Sequence, residues 1–186
     1  MDPIIWLYIA IGVAALFILW IILAYNGLIG KRLRVDNNFS QIKIQCKKRF
    51  DLVPNLVETV KGYAKHEKET LERVIAARQA GLSAQTPEDL AKANNQLSGV
   101  LGKLFALSEA YPDLKANANF GSLQGELTGI EKSIAVSRQV YNDSVMVYNR
   151  AIMVFPRNII AGLFRFKKAD FFSAPEEELQ NVKVSF

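Results

Sequence analysis

FGSLQGELTGIEKSIAVSRQVYNDSVMVYNRAIMVFP, residues 120–156, carries apolar side chains in steps of three and four. Phe120, Leu123, Leu127, Ile130, Ile134, Tyr141, Val145, Tyr148, Ile152 and Phe155 mark the stripe, and Ser137 fills one step. That is the period of an α-helix. It predicts a helix of about 36 residues, roughly 54 Å long, packed in coiled-coil fashion within a bundle and ended by Pro156.

Two more helical segments precede it. Val35, Phe39, Ile42, Cys46, Phe50, Val53, Val57, Val60 and Ala64 keep the same spacing, interrupted by Pro54, where a kink or a fresh start with Asp51 near its cap is expected. The pattern resumes at Leu71, Val74, Ile75 and Arg78 and fades at Gly81. Thr86-Pro87-Glu88-Asp89 then signals a new helix, with a capping hydroxyl, a first-turn proline and two acids at the positive end of the dipole. Leu90, Leu97, Leu101, Leu104 and Leu107 follow, up to Tyr111-Pro112. The short connection, about five residues, makes these two helices antiparallel neighbours.

At the amino end, residues 4–25 contain no charged side chain, and thirteen of them are Ile, Leu, Val or Phe. As a helix this run is about 33 Å long, enough for a hydrocarbon core of about 30 Å. The apolar residues favour insertion by about 4–8 kcal/mol. Trp6 and Tyr8 lie toward one end and Trp20 and Tyr25 toward the other, as an aromatic belt requires. A cleaved signal peptide would open on basic residues and end on small ones; Met1-Asp2-Pro3 and Ala24-Tyr25-Asn26 do neither. A buried core helix is seldom apolar on every face. The expected fold is therefore all-α: an N-terminal transmembrane helix followed by an antiparallel, four-helix-bundle-like set of long helices. Its expected divisions are a signal anchor at 1–30, a bundle at 31–156 and an aromatic, basic segment at 157–186.

The chain has 186 residues, a net charge of +5, one cysteine and one histidine. Lys31, Arg32 and Arg34 stand directly after the apolar run, followed by Lys43, Lys47, Lys48 and Arg49. Basic flanks stay on the cytoplasmic side, so a short N-terminus outside and a cytoplasmic body are expected. Lys31, Arg32 and Arg34 are expected to meet anionic lipid headgroups at about 1 kcal/mol each. No nucleic-acid module interleaves aromatic residues with these basics, so nucleic acid is not an expected partner.

Motifs for chemistry fall short. His66-Glu67 begins like HExxH, but Thr70 stands where the second histidine belongs. Gly99-Val-Leu-Gly-Lys103 has too short a spacing for a phosphate loop and continues with Leu104. Gly121-Ser-Leu-Gln-Gly125 misplaces the serine of a nucleophile elbow. Cys46 lies in an apolar stripe, where a thiol packs as a small hydrophobe. No catalytic, cofactor or metal residue is expected.

Three features stay open at this level. Gly121, Gly125 and Gly129 lie four apart, which suits either a close helix approach, from a second copy for instance, or a weakly ordered start. Residues 158–172, with Arg165, Lys167 and Lys168 among aromatics, suit packing on the bundle or lying in the membrane interface; Glu176, Glu177 and Glu178 then read as a solvated helix start. Tyr141-Asn142 and Tyr148-Asn149 repeat after seven residues, and Asn37 and Gln41 form a second polar line. The two lines are expected to pair by hydrogen bonds that set register, or else to form a groove for a partner's peptide.

Several segments resemble the LemA family of bacterial membrane-anchored proteins. They are Tyr25-Asn26, Val35-Asp-Asn37 with Phe39-Ser-Gln-Ile42, residues 51–64 (DLVPNLVETVKGYA) with His66-Glu67, and residues 110–117 (AYPDLKAN). Tyr141-Asn142, Tyr148-Asn149, Phe155-Pro156, Ile160-Ala-Gly-Leu-Phe164 and Val184-Ser-Phe186 complete the match, which runs over nearly the whole chain. Gly121, Gly125 and Gly129 depart from it. The resemblance implies one membrane helix, an antiparallel helical bundle and no established enzymatic activity. The function expected is a membrane-anchored scaffold or adaptor with an unidentified protein partner, or a homo-oligomer. The alternatives are a hydrolase or transferase with a polar site between helices, and a membrane-remodelling protein.

Overall fold

The computed structural model describes residues 3–64 and 66–172. Their regular structure is helical throughout: α1 Pro3–Lys61, α2 Lys68–Ser83, α3 Pro87–Ser108, α4 Pro112–Lys115, α5 Ala118–Met153 and α6 Arg157–Leu163. The expected helix start at Glu176–Glu178 and the closing Val184-Ser185-Phe186 lie outside the described residues. The chain divides into two compact units, whose described residues are 39–64 and 66–142 with 170–172, and 3–38 with 143–169.

The first unit is the antiparallel bundle. Its core side chains come from the stripes: Ile42, Cys46, Phe50, Val53 and Val57 on α1, Leu90, Leu97, Leu101 and Leu104 on α3, Phe120, Leu127 and Ile134 on α5. Three pairs, the last just beyond the helix ends, set the register of α1 against α5. The Phe39 and Tyr141 rings lie 5.7 Å apart, Arg49 is ion-paired with Glu131, and the Asn117 amide donates to the Tyr63 hydroxyl at 2.9 Å. Each step up one helix equals the step down the other, so the two run antiparallel without a slip. Only residues 84–86 separate α2 from α3, and the Thr86 hydroxyl accepts the Asp89 amide at 3.1 Å as the expected cap.

In this unit two details differ from expectation. Helix α1 continues through Pro54, and Asp51 caps nothing; it pairs with Lys47 one turn earlier at 2.6 Å. On α2 the inner positions belong to Leu71, Val74, Ala77 and Gly81, which turns Ile75 outward. The start of α5 is ordered despite its glycines, because the Asn117 side chain accepts the Phe120 amide at 3.0 Å as an N-cap. A Cβ at Gly121, Gly125 or Gly129 would meet nothing within 4 Å, so among the described residues no helix approaches that face.

The second unit joins the amino-terminal part of α1 to the last turns of α5 and to α6. Ala24, Leu28 and Val35 are buried here with Val145, Tyr148, Ile152, Ile160 and Ala161. By contrast, every residue from Pro3 to Leu19 is exposed. Phe155, the last residue of the α5 stripe, is not in the core: it is 74% exposed, beyond the end of α5.

Candidate functional site

The motif fragments do not assemble into chemistry. Gly99–Lys103 lies inside α3 and Gly121–Gly125 inside α5, where backbone amides are engaged along the helix and cannot cradle a phosphate or bend into an elbow. His66 is exposed between α1 and α2. Among the described residues no three His, Cys, Asp or Glu side chains group to hold a metal ion.

The bundle has a buried polar cluster that periodicity conceals. Arg49, read from sequence as one of the basic flank, is buried between α1, α3 and α5. Its Nη1 donates to Asn94 Oδ1 at 2.7 Å and to Ser98 Oγ at 2.9 Å, and it is ion-paired with the Glu131 carboxylate. The Ser98 hydroxyl is 3.2 Å from the other Glu131 oxygen. Position could have flagged this arginine, since Arg49 falls between Cys46 and Phe50 on the apolar stripe. Burial pushes the Cys46 thiol up to about 12, with Glu131 adding to the rise and Arg49 opposing it. A thiol held protonated is the reverse of an activated nucleophile.

The Tyr-Asn repeat has a function that its spacing hinted at and a partner that it did not. Asn37 and Gln41 are exposed and take no part. Instead the amides grip the chain that follows α6. In the bundle unit, Asn142 Nδ2 donates to the Phe172 carbonyl at 3.0 Å and its Oδ1 accepts the Phe172 amide at 2.9 Å, while the Tyr141 hydroxyl donates to the Asp170 carbonyl at 2.7 Å. In the second unit, Asn149 makes the same two-way pair with Ala169, both at 2.9 Å, and the Tyr148 hydroxyl donates to the Lys167 carbonyl at 2.8 Å. Seven helical residues rise about 10.5 Å and three extended residues span about 10 Å. A Tyr-Asn pair every seven residues therefore suits a strap held every three.

The strap leaves α6 through a Schellman turn. The Phe166 amide bonds to the Ala161 carbonyl at 2.9 Å and the Arg165 amide to the Gly162 carbonyl at 3.2 Å. Arg165 occupies the left-handed position at φ 55°, where glycine is the usual residue. Beside it opens a cleft of about 350 Å³, lined by Arg32 and Asp36 of α1, Tyr148 of α5, and Arg165, Lys167 and Lys168 of the strap. Four cations against one carboxylate give it an anion-binding character. Its aromatic wall stays neutral: burial raises the Tyr148 phenol above its ordinary value, opposed by Arg32 and aided by Asp36. The sequence flagged these basic residues separately, in two stretches far apart in the chain. Their meeting depends on the hold of Tyr148 and Asn149 on residues 167–169.

The sequence model of the LemA family matches residues 38–186, starting beyond the apolar run. Among curated proteins, Protein LemA of Metamycoplasma hominis is 25% identical over 164 residues, covering 86% of this chain and 74% of that protein.

Proposed function

The chain belongs to the LemA family, and from that membership we propose a single-pass, membrane-anchored helical scaffold or adaptor without catalytic activity. Its short amino terminus lies outside a bacterial cell membrane and its body in the cytoplasm. The observation that carries this reading is the unbroken exposure of Pro3 to Leu19, a wholly apolar helical surface that only lipid covers cheaply. Lys31, Arg32 and Arg34 follow it and favour the cytoplasmic side, at anionic headgroups. The non-catalytic part is supported by the Arg49 cluster, whose charges are met by the bundle's own side chains. The body would then present its surface to a protein partner or to a second copy, for which the open face of Gly121, Gly125 and Gly129 on α5 offers close approach.

Single cysteines in a Cys46→Ala background test the topology. In intact cells an impermeant maleimide should label a cysteine at Asp2 and spare one at Gln85, which becomes reactive on lysis. Labelling of Gln85→Cys before lysis would overturn the orientation, and recovery of the chain in the soluble fraction would overturn the anchor.

A further inference from the structure

Helix α6 has the wrong surface for water. Ile160 and Ala161 face inward, while Ile159 and Leu163, four apart on α6, are 58% and 70% exposed, and Phe155 in the turn before the helix is 74% exposed. A two-turn helix that is apolar on both sides, with an exposed aromatic ring in the turn before it, asks for a second cover. Its height along α1 is fixed by aromatic contacts. Tyr25, six residues before the first charged side chain, Lys31, has its ring 4.7 Å from that of Phe164 and 5.8 Å from that of Phe166. The end of α6 thus stands beside the last uncharged turns of α1, about 9 Å before its basic flank begins at Lys31. Arg32 lies seven residues further along α1, about 10.5 Å, and lines the cationic cleft with Arg165, Lys167 and Lys168. Arg165 is informative in itself. Glycine would relieve the left-handed backbone there, whereas a Cβ is strained. Strain retained beside a cleft points to the side chain's chemistry, and a guanidinium fork matches phosphate oxygens.

We propose that this unit makes a second contact with the bilayer beside the α1 span: α6 lies in the interface with Phe155, Ile159 and Leu163 in lipid, and the cleft of Arg32, Arg165, Lys167 and Lys168 holds the phosphate of an anionic phospholipid. The proposal deepens the membrane-anchored reading and rests on it. A soluble anion would satisfy the cations but leave the apolar row in water. Only a lipid meets both demands at the depth marked by Tyr25.

The test uses the full chain in phosphatidylcholine vesicles with and without phosphatidylglycerol. Nitroxide labels go on single cysteines at Ile11, Thr128, Ile159 and Leu163 in the Cys46→Ala background, and collision with oxygen is compared with collision with a water-soluble nickel chelate. Labels at Ile159 and Leu163 should favour oxygen, with immersion deepened by phosphatidylglycerol, while Thr128→Cys stays aqueous. Arg165→Gly should keep or raise the melting temperature yet abolish the phosphatidylglycerol dependence. Labels at Ile159 and Leu163 as chelate-accessible as that at Thr128, with Ile11→Cys immersed, overturn this proposal alone. An aqueous Ile11→Cys overturns the anchor as well. Shielding of Ile159→Cys from both reagents would mean that protein, a second copy included, covers the row, and this too would overturn the proposal. So would inorganic phosphate reproducing the lipid effect in phosphatidylcholine vesicles.

Discussion

Pro54 has no amide hydrogen, so the carbonyl of Phe50, four residues back, lacks its helical donor. Arg78 of α2 supplies one, its Nε donating at 2.9 Å, and α1 continues without a break. The Phe50 ring meanwhile lies against Gly81, where an added Cβ would overlap Cζ and both Cε atoms. Gly81→Ala should therefore cost about 1–3 kcal/mol through overpacking. Gly125→Ala, on an open helical face, should gain up to about 1 kcal/mol. Urea melts of the two variants would separate these outcomes, and a neutral Gly81→Ala would deny the Phe50 contact. Cys46 makes a prediction in pH. Its thiol is raised from 9.0 to about 12 in the fold, chiefly by burial. Above pH 9 the unfolded chain releases a proton that the folded chain retains. The contribution to stability is full below that pH and is lost as pH climbs toward 12. Cys46→Ala should flatten the fall of the melting temperature across that window. An unchanged slope would place the thiol in solvent.

At the scale of elements, regular burial was legible and irregular recognition was not. The stripe on α5 predicted its length because a helix that buries one face must repeat every three or four residues, and its buried members run from Phe120 to Ile152. The same rule failed at Phe155, which keeps the period but lies past the last turn, and at Ile75, beside the inner Val74. Pro54 marked a break only because the rescue by Arg78 comes from another helix. The Arg49 cluster has no period to read, and the seven-residue Tyr-Asn repeat gives a spacing without naming the strap it holds. The amides of Asn142 and Asn149 stood out in sequence, yet side-chain hydrogen bonds leave no trace of their partners there. Asn149→Ala removes both bonds to Ala169 and should destabilise the strap by about 1–3 kcal/mol. Trypsin should then cut after Lys167 and Lys168 faster than in the parent chain, while the urea midpoint of the bundle moves little. Equal cleavage rates would show that the Tyr148 hydroxyl and the neighbouring packing hold the strap unaided.

At the scale of the molecule, long apolar stripes create an ambiguity. Helices that repeat every three or four residues can slide by a turn and still bury apolar faces, so burial alone chooses the register poorly. Arg49 breaks that degeneracy in the bundle unit, because Asn94 and Ser98 on α3 and Glu131 on α5 must all meet one nitrogen on α1. A slip of one turn would strand a buried guanidinium, a far larger loss than any misplaced methyl group. Arg49→Met should cost about 3 kcal/mol, since it leaves Glu131 facing a core without its counter-ion. Glu131 is 38% exposed at its side chain, which keeps the penalty at the low end of that range. Pairing Arg49→Met with Glu131→Leu should recover much of the loss, because no buried charge is then unmatched. If the ion pair serves register, the recovered bundle should also melt less cooperatively or exchange its core amides faster than the parent. Denaturant melts with hydrogen exchange on all three chains would decide it. Equal costs for the single and double variants would reduce Arg49 to a matter of volume, and an unaltered exchange pattern in the double variant would leave the register to the stripes alone.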